Sequence, residues 1–79
     1  MDHIAEHGVG PQEAEEVVRS AKRPYPRHQG NEKYRVRGQT ASGQYLQVIY
    51  LIDPGKTLYV IHARPLTINE MRQFRRERR

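Results

Sequence analysis

Apolar side chains in this chain concentrate between Tyr45 and Arg64, Y-L-Q-V-I-Y-L-I-D-P-G-K-T-L-Y-V-I-H-A-R, and thin out elsewhere. Two runs rich in Val, Ile, Leu and Tyr flank Asp53-Pro54-Gly55-Lys56, and these residue types fit a pleated, half-buried surface. Pro54 presets φ for the first corner of a turn, and Gly55 is expected to supply its positive-φ position. The stretch therefore predicts a β-hairpin. From Glu32 to Gln39, Tyr34, Val36 and Gly38 alternate with Lys33, Arg35 and Arg37, the period of a strand with one cationic face. Thr40-Ala41-Ser42-Gly43 reads as a tight turn, with Gly43 at φ > 0. Consecutive strands with such short connections predict an antiparallel meander of three strands.

Helical spacing flanks this sheet. Asp2 can cap a short first turn and Gly8 can close it. Pro11 stands where a first helical residue belongs and opens Q-E-A-E-E-V-V-R-S. Glu13, Glu15 and Glu16 suit the positive end of the helix dipole, and Arg19 suits the negative end. Ala14, Val17 and Val18 form a narrow apolar stripe. At the other end, Thr67-Ile68-Asn69-Glu70 has the form of a capping box for a helix from Ile68 to about Glu77. Ile68, Met71 and Phe74 are expected to dock it on the sheet. Residues 20–31 are expected to be a loop, because Pro24 and Pro26 forbid helix and leave Tyr25 extended. The fold class is α+β: helix or helices, a three-stranded antiparallel meander and a C-terminal helix, in one domain over 1–79.

At this length a chain buries only about 60% of its unfolded surface, so stability should be modest. With no cysteine, neither a disulfide nor a thiolate metal site can add to it. No long apolar run or export signal is evident, so the expectation is a bacterial cytoplasmic protein with no membrane span. The net charge of +5 is unevenly placed. Residues 1–20 hold five acids against Arg19 alone, leaving 13 Lys/Arg against four acids in the rest. A basic body with an acidic end suits a polyanionic partner, and charge alone fits a solvated basic surface equally well. His3 and His7 have an i, i+4 spacing that suits a metal, but no third ligand is apparent nearby, so no metal or cofactor is expected.

Several segments carry a family resemblance in their order and spacing. H-G-V and E-A-E-E-V-V are followed by H-x-x-x-E-K-Y, G-Q-T-x-S-G-x-x-L-x-V-x-Y, V-I-x-A-R and T-x-x-E-x-R-x-F-R. From His7 to Arg75 the chain resembles the BrnT family of type II toxins, small ribonucleases of RelE-like fold neutralised by a cognate antitoxin. The resemblance implies a RelE-like fold and an antitoxin of ribbon-helix-helix type. It also singles out His28, Glu32, Arg64, Glu70, Arg72 and Arg75, with Phe74 at an aromatic position. The chain departs from the family in three places. It starts inside the family's first helix, without the preceding strand, which is expected to leave a sheet edge open or the sheet re-formed another way. His62 stands where a small hydroxyl residue is usual. Tyr25-Pro26-Arg27 replaces an acidic residue before His28. These departures bear on activity more than on fold.

Metal-independent RNA cleavage needs a base for the 2′-hydroxyl, an acid for the leaving oxygen and cations for the charged phosphorane. On the third strand, Tyr59, Ile61 and Ala63 alternate with Val60, His62 and Arg64; the first set is core-like, so His62 and Arg64 are expected to face the other side. His62 titrates near neutrality and Arg64 can grip a phosphate with two donors. Glu32 could act as base or orient a cation. Arg35, Arg37, Arg72, Arg75, Arg76, Tyr25 and His28 are the candidate RNA-binding residues, with Tyr25 either stacking on a base or tucked onto the core. Each has a structural alternative: Arg64 could pair with Glu70 or Glu32, and His62 could pack under the last helix. The leading expectation is an RNA-binding, metal-independent ribonuclease toxin. The alternatives are a non-catalytic toxin-like module binding nucleic acid or a protein, and a purely protein-binding module whose sheet edge accepts a partner strand, giving a dimer or hetero-complex.

Overall fold

The computed structural model describes residues 9–77. The Asp2–Gly8 turn, the His3/His7 pair and the last two arginines lie outside the described residues. The elements run α1 (Pro11–Arg19), β1 (Arg27–Gly30), β2 (Lys33–Gln39), β3 (Tyr45–Ile52), β4 (Leu58–Pro65) and α2 (Ile68–Glu77). The four strands form one antiparallel sheet in the order β1-β2-β3-β4. The α+β class and the meander are as expected, but the sheet has four strands, not three. The additional strand, β1, lies inside the segment expected to be a loop. It is short, none of its residues is buried, and it pairs only with the first part of β2. Pro24 and Pro26 stand just before it, where no ladder donor is needed.

One sheet face builds the core. Val36, Leu46, Val48, Tyr50 and Ala63 are buried there with Ala14 and Val17 of α1. Gly38 permits the close approach of α1, because a Cβ at that position would meet Val17 Cγ1 at 3.3 Å. Pro11 opens α1 as expected, and the Glu13 carboxylate accepts a hydrogen bond from the Gly10 amide. On the same face the rings of His28, Tyr34 and Tyr50 run in a row across β1, β2 and β3, with centroids 5.0 and 5.5 Å apart.

α2 packs on the opposite face, across one end of the sheet. Its capping box forms: the Thr67 hydroxyl accepts from the Glu70 amide at 3.2 Å, and Glu70 accepts from the Thr67 amide at 2.9 Å. Phe74 is buried and Met71 packs against the core, but Ile68 stays 65% exposed and does not dock. The helix is held at that end by ionic contacts of Glu70, described below.

Two local expectations are corrected. In the β3–β4 turn the positive φ falls on Lys56, at 70°, and not on Gly55. In the same turn the Asp53 carboxylate accepts from the Thr57 amide at 2.9 Å. On β4 the expected alternation fails at a bulge: Tyr50 pairs with Val60 and Ile49 with His62, leaving Ile61 without an opposite residue. Val60 therefore shares the core face with Ala63. Tyr59 joins His62 and Arg64 on the other face, and Tyr59 and Ile61 are exposed. Glu32, expected at the start of a strand, sits in the β1–β2 turn. Asn31 and Glu32, at φ 53° and 63°, form the two-residue loop between Gly30 and Lys33.

Candidate functional site

The face that carries α2 is organised in three rows across the strands. Directly opposite residues of antiparallel strands share a face, so register alone defines them. The first row is Arg37–Gln47–Arg64 on β2, β3 and β4. The second is Arg27–Arg35–Ile49–His62 and crosses all four strands. The third is Lys33–Leu51–Tyr59.

α2 closes the first row. Arg64 donates to both carboxylate oxygens of Glu70, at 2.7 and 2.8 Å. The Arg37 guanidinium lies 3.5 Å from the same carboxylate. It also donates to Gln47 at 3.0 Å and to Gln73 at 3.1 Å. With 7% of its surface exposed, Arg37 is a buried cation under a helix, not part of an open stripe. The Arg64 hydrogen bonds, followed by that from the Thr67 amide, hold the Glu70 carboxyl down to about 2. The same contact raises Arg64 above its ordinary value. Both arginines thus bind a carboxylate of their own chain, and their donors lock α2 to the sheet.

The far end of α2 is held by Tyr25 and Glu77. The Tyr25 hydroxyl donates to the Glu77 carboxylate, and its ring packs 6.4 Å from that of Phe74. Burial, then the Glu77 hydrogen bond and charge, push the Tyr25 phenol above its ordinary value. Tyr25 is therefore core, unable to stack on a base as it stands. Arg27 lies 3.7 Å from Glu77 and 5.9 Å over the Tyr25 ring.

Beyond Arg27, which Glu77 of α2 reaches, Glu70 does not extend to the second and third rows. Lys33 is exposed, and Arg35 and His62 are half-buried. The Arg35 Nε is buried without a hydrogen-bond partner. Among the described residues no carboxylate lies within 4 Å of Lys33, Arg35, Arg72 or Arg76. The described acids lie elsewhere, Glu13, Glu15 and Glu16 on α1, Glu32 and Asp53 in turns and Glu70 beneath α2, except Glu77, which reaches Arg27 at the end of the second row. Ile49, Leu51 and the exposed Tyr59 ring continue these rows as an apolar half. Asn69, Gln73 and Arg76 share one side of α2 by helical spacing, and Gln73 reaches the first row.

The sequence-derived candidates thus divide. Arg35 and His62 share one row, with Arg64 next to them under α2. Glu32 and His28 belong to the other side of the sheet, around a shallow hollow of about 680 Å³ with Asn31, Tyr34, Ile52 and Lys56. His62, Arg64 and Glu32 are therefore not brought to one point. Arg72 and Arg76 are exposed on α2. Arg75 stacks on Tyr45, 5.5 Å from the ring centroid. Sequence reasoning placed Lys33 on the cationic face but missed Arg27 and Tyr59 as members of this surface. The alternation K-Y-R-V-R held the signal for Lys33, whereas Arg27 depended on an unforeseen strand and Tyr59 on the bulge. Among the described residues no three His, Asp or Glu side chains converge as a metal site requires, and no helix is long and apolar enough to cross a membrane.

Comparisons with protein-family models, with curated proteins and with solved structures find no match to this chain.

Proposed function

We propose that the chain is an RNA-binding module that uses the two rows α2 leaves uncovered. The supporting observation is the surface's division into a cationic half, Lys33 and Arg35 with the Glu77-paired Arg27 at its end, and an apolar half, Ile49, Leu51 and Tyr59. Single-stranded nucleic acid asks for such a pairing: cations track the phosphates, and an exposed ring takes a base face. Neighbouring strands are about 4.8 Å apart, so the row from Arg27 to His62 spans about 14 Å, room for a short stretch of extended strand. Arg72 and Arg76 add positive potential at the rim. Arg37 and Arg64 serve the same function indirectly, by fixing α2 against the first row.

The test is fluorescence anisotropy with a labelled single-stranded RNA over a series of salt concentrations. Arg35→Ala should weaken binding to all sequences and reduce the salt slope by about one. Tyr59→Ala should cost about 1–3 kcal/mol of affinity with little change in slope, the signature of lost stacking. Equal affinity and slope for wild type and Arg35→Ala would remove the proposal.

A second reading is favoured by one observation: His62 lies in the row of Arg35, on a half-buried position of the same face. In this reading the surface also cleaves RNA without a metal. His62 takes the proton of the 2′-hydroxyl as the hydroxyl oxygen bonds to the adjacent phosphorus. The P–O5′ bond breaks to leave a cyclic phosphate, and the departing oxygen takes a proton from water. Arg35 holds the phosphate, while the chain acts as the toxin of a pair whose antitoxin covers the face. Incubation with a long RNA in EDTA decides it: cleavage by wild type that is lost in His62→Ala supports it, and intact RNA with retained affinity leaves binding alone.

A further inference from the structure

The two edges of the sheet are treated differently. β1 is four residues long, polar, preceded by prolines and marked by Arg27, features that discourage pairing with another strand. β4 is twice as long and apolar at its outer edge. Four large apolar side chains are markedly exposed among the described residues, and three of them, Leu58, Tyr59 and Ile61, are on β4. Beside this edge, on the core side of the sheet, α1 presents Pro11, Glu15, Val18 and Arg19. With Leu58 and Val60 they line an apolar groove of about 530 Å³.

The charges at the groove's rim indicate what covers it. They are one acid and one base a helical turn apart, Glu15 and Arg19, paired at 2.8 Å and 65% and 72% exposed. A two-fold axis exchanges such a pair crosswise, acid onto base and base onto acid, so the rim is complementary to itself. A partner of one dominant charge would match only half of it.

We propose that the groove and the β4 edge bind a second copy of this chain, with antiparallel β4 strands related by a two-fold axis at Tyr59. In this register Leu58 of each copy lies opposite Val60 of the other on the groove side, with Val18 and Pro11 above them. The two Tyr59 rings meet on the other side, a cross-strand aromatic pair. Glu15 of each copy reaches Arg19 of the other. The four-stranded sheets become one of eight strands. This inference does not rest on the nucleic-acid reading: the two share only Tyr59, and the groove residues that test it, Glu15, Arg19 and Leu58, lie outside the cationic rows.

Sedimentation equilibrium over a wide concentration range tests it, with circular dichroism as the control for folding. Wild type should approach twice the chain mass of 9.3 kDa at high concentration. Glu15→Arg sets like charges together twice per dimer and should weaken association roughly tenfold. The double variant Glu15→Arg/Arg19→Glu restores complementarity and should recover the wild-type constant, which a merely structural role for either residue would not produce. Leu58→Lys should give monomer throughout. A wild type that stays monomeric overturns the proposal, as does a dimer indifferent to Glu15→Arg and Leu58→Lys.

Discussion

Replacing Glu70 by glutamine isolates the charge that fastens α2. The side chain keeps its shape and one carbonyl oxygen, but Arg64 loses a bidentate carboxylate and the buried Arg37 loses its counter-ion at 3.5 Å. The carboxyl is held from 4.5 down to about 2. At about 1.4 kcal/mol per pH unit this corresponds to about 3 kcal/mol, reduced to about 2 for the partial exposure of the pair. Glu70→Ala also removes the capping acceptor, adding about 1 kcal/mol. A domain of this size has roughly 4–12 kcal/mol in total, so the alanine variant, down by about 3 kcal/mol, should lose between about a quarter and three quarters of it. The sign follows from the depressed value: this stability is complete above about pH 4.5 and is lost as the pH falls toward 2. Urea unfolding of wild type and Glu70→Gln across that range is the assay. The glutamine variant should be about 2 kcal/mol weaker near neutrality and should lack the acid-dependent component that the carboxylate contributes. A neutral-pH loss below about 0.5 kcal/mol, or an identical acid profile, would refute the ionic account of how α2 is held.

Tyr25→Phe removes the hydroxyl that donates to Glu77 and should cost about 1 kcal/mol in urea unfolding. Because the folded phenol is raised, its contribution is constant below about pH 10 and falls above it, and the variant should lose that alkaline component. Glu32→Gly places the residue best suited to φ 63° in the two-residue turn after Asn31, and should raise stability by about 0.5–1 kcal/mol. If RNA cleavage is found, this variant should retain it, because Glu32 lies away from the rows of Arg35 and His62; loss of cleavage with stability intact would return Glu32 to the site.

Much of the fold could be read from residue patterns because those patterns report burial. The alternations of β2 and β3, the Ala14–Val17 stripe and the Thr67–Glu70 box each record a side chain's choice between core and solvent, or a cap's need for an acceptor. β1 left no such record. Its pairing is made by the backbone and its side chains face water, so only the register with β2 reveals it. The bulge on β4 was hidden for a related reason: L-Y-V-I-H-A-R contains too many apolar residues for strict alternation to be refuted from composition. The site was harder still. A run of arginines looks the same whether a carboxylate comes from a ligand or from the chain itself. Arg37 and Arg64 are distinguished from Arg35 by where Glu70 arrives, a pairing the sequence offered as one alternative for Arg64 and nothing along the chain marked for Arg37.

The unpaired Ile61 gives β4 an unusual tolerance to change in length. Deleting one residue from a strand ordinarily turns every later side chain to the wrong side. Here the loss of Ile61 would leave Val60, His62, Ala63 and Arg64 in strict alternation, each still opposite its present neighbour on β3. Val60 and Ala63 would remain in the core, with His62 and Arg64 on the α2 side. The strand therefore carries a spare position between the part that faces the groove and the part that anchors the helix. Descent could shorten it there, or replace Ile61 freely, and reshape the outer edge while the attachment of α2 stayed intact.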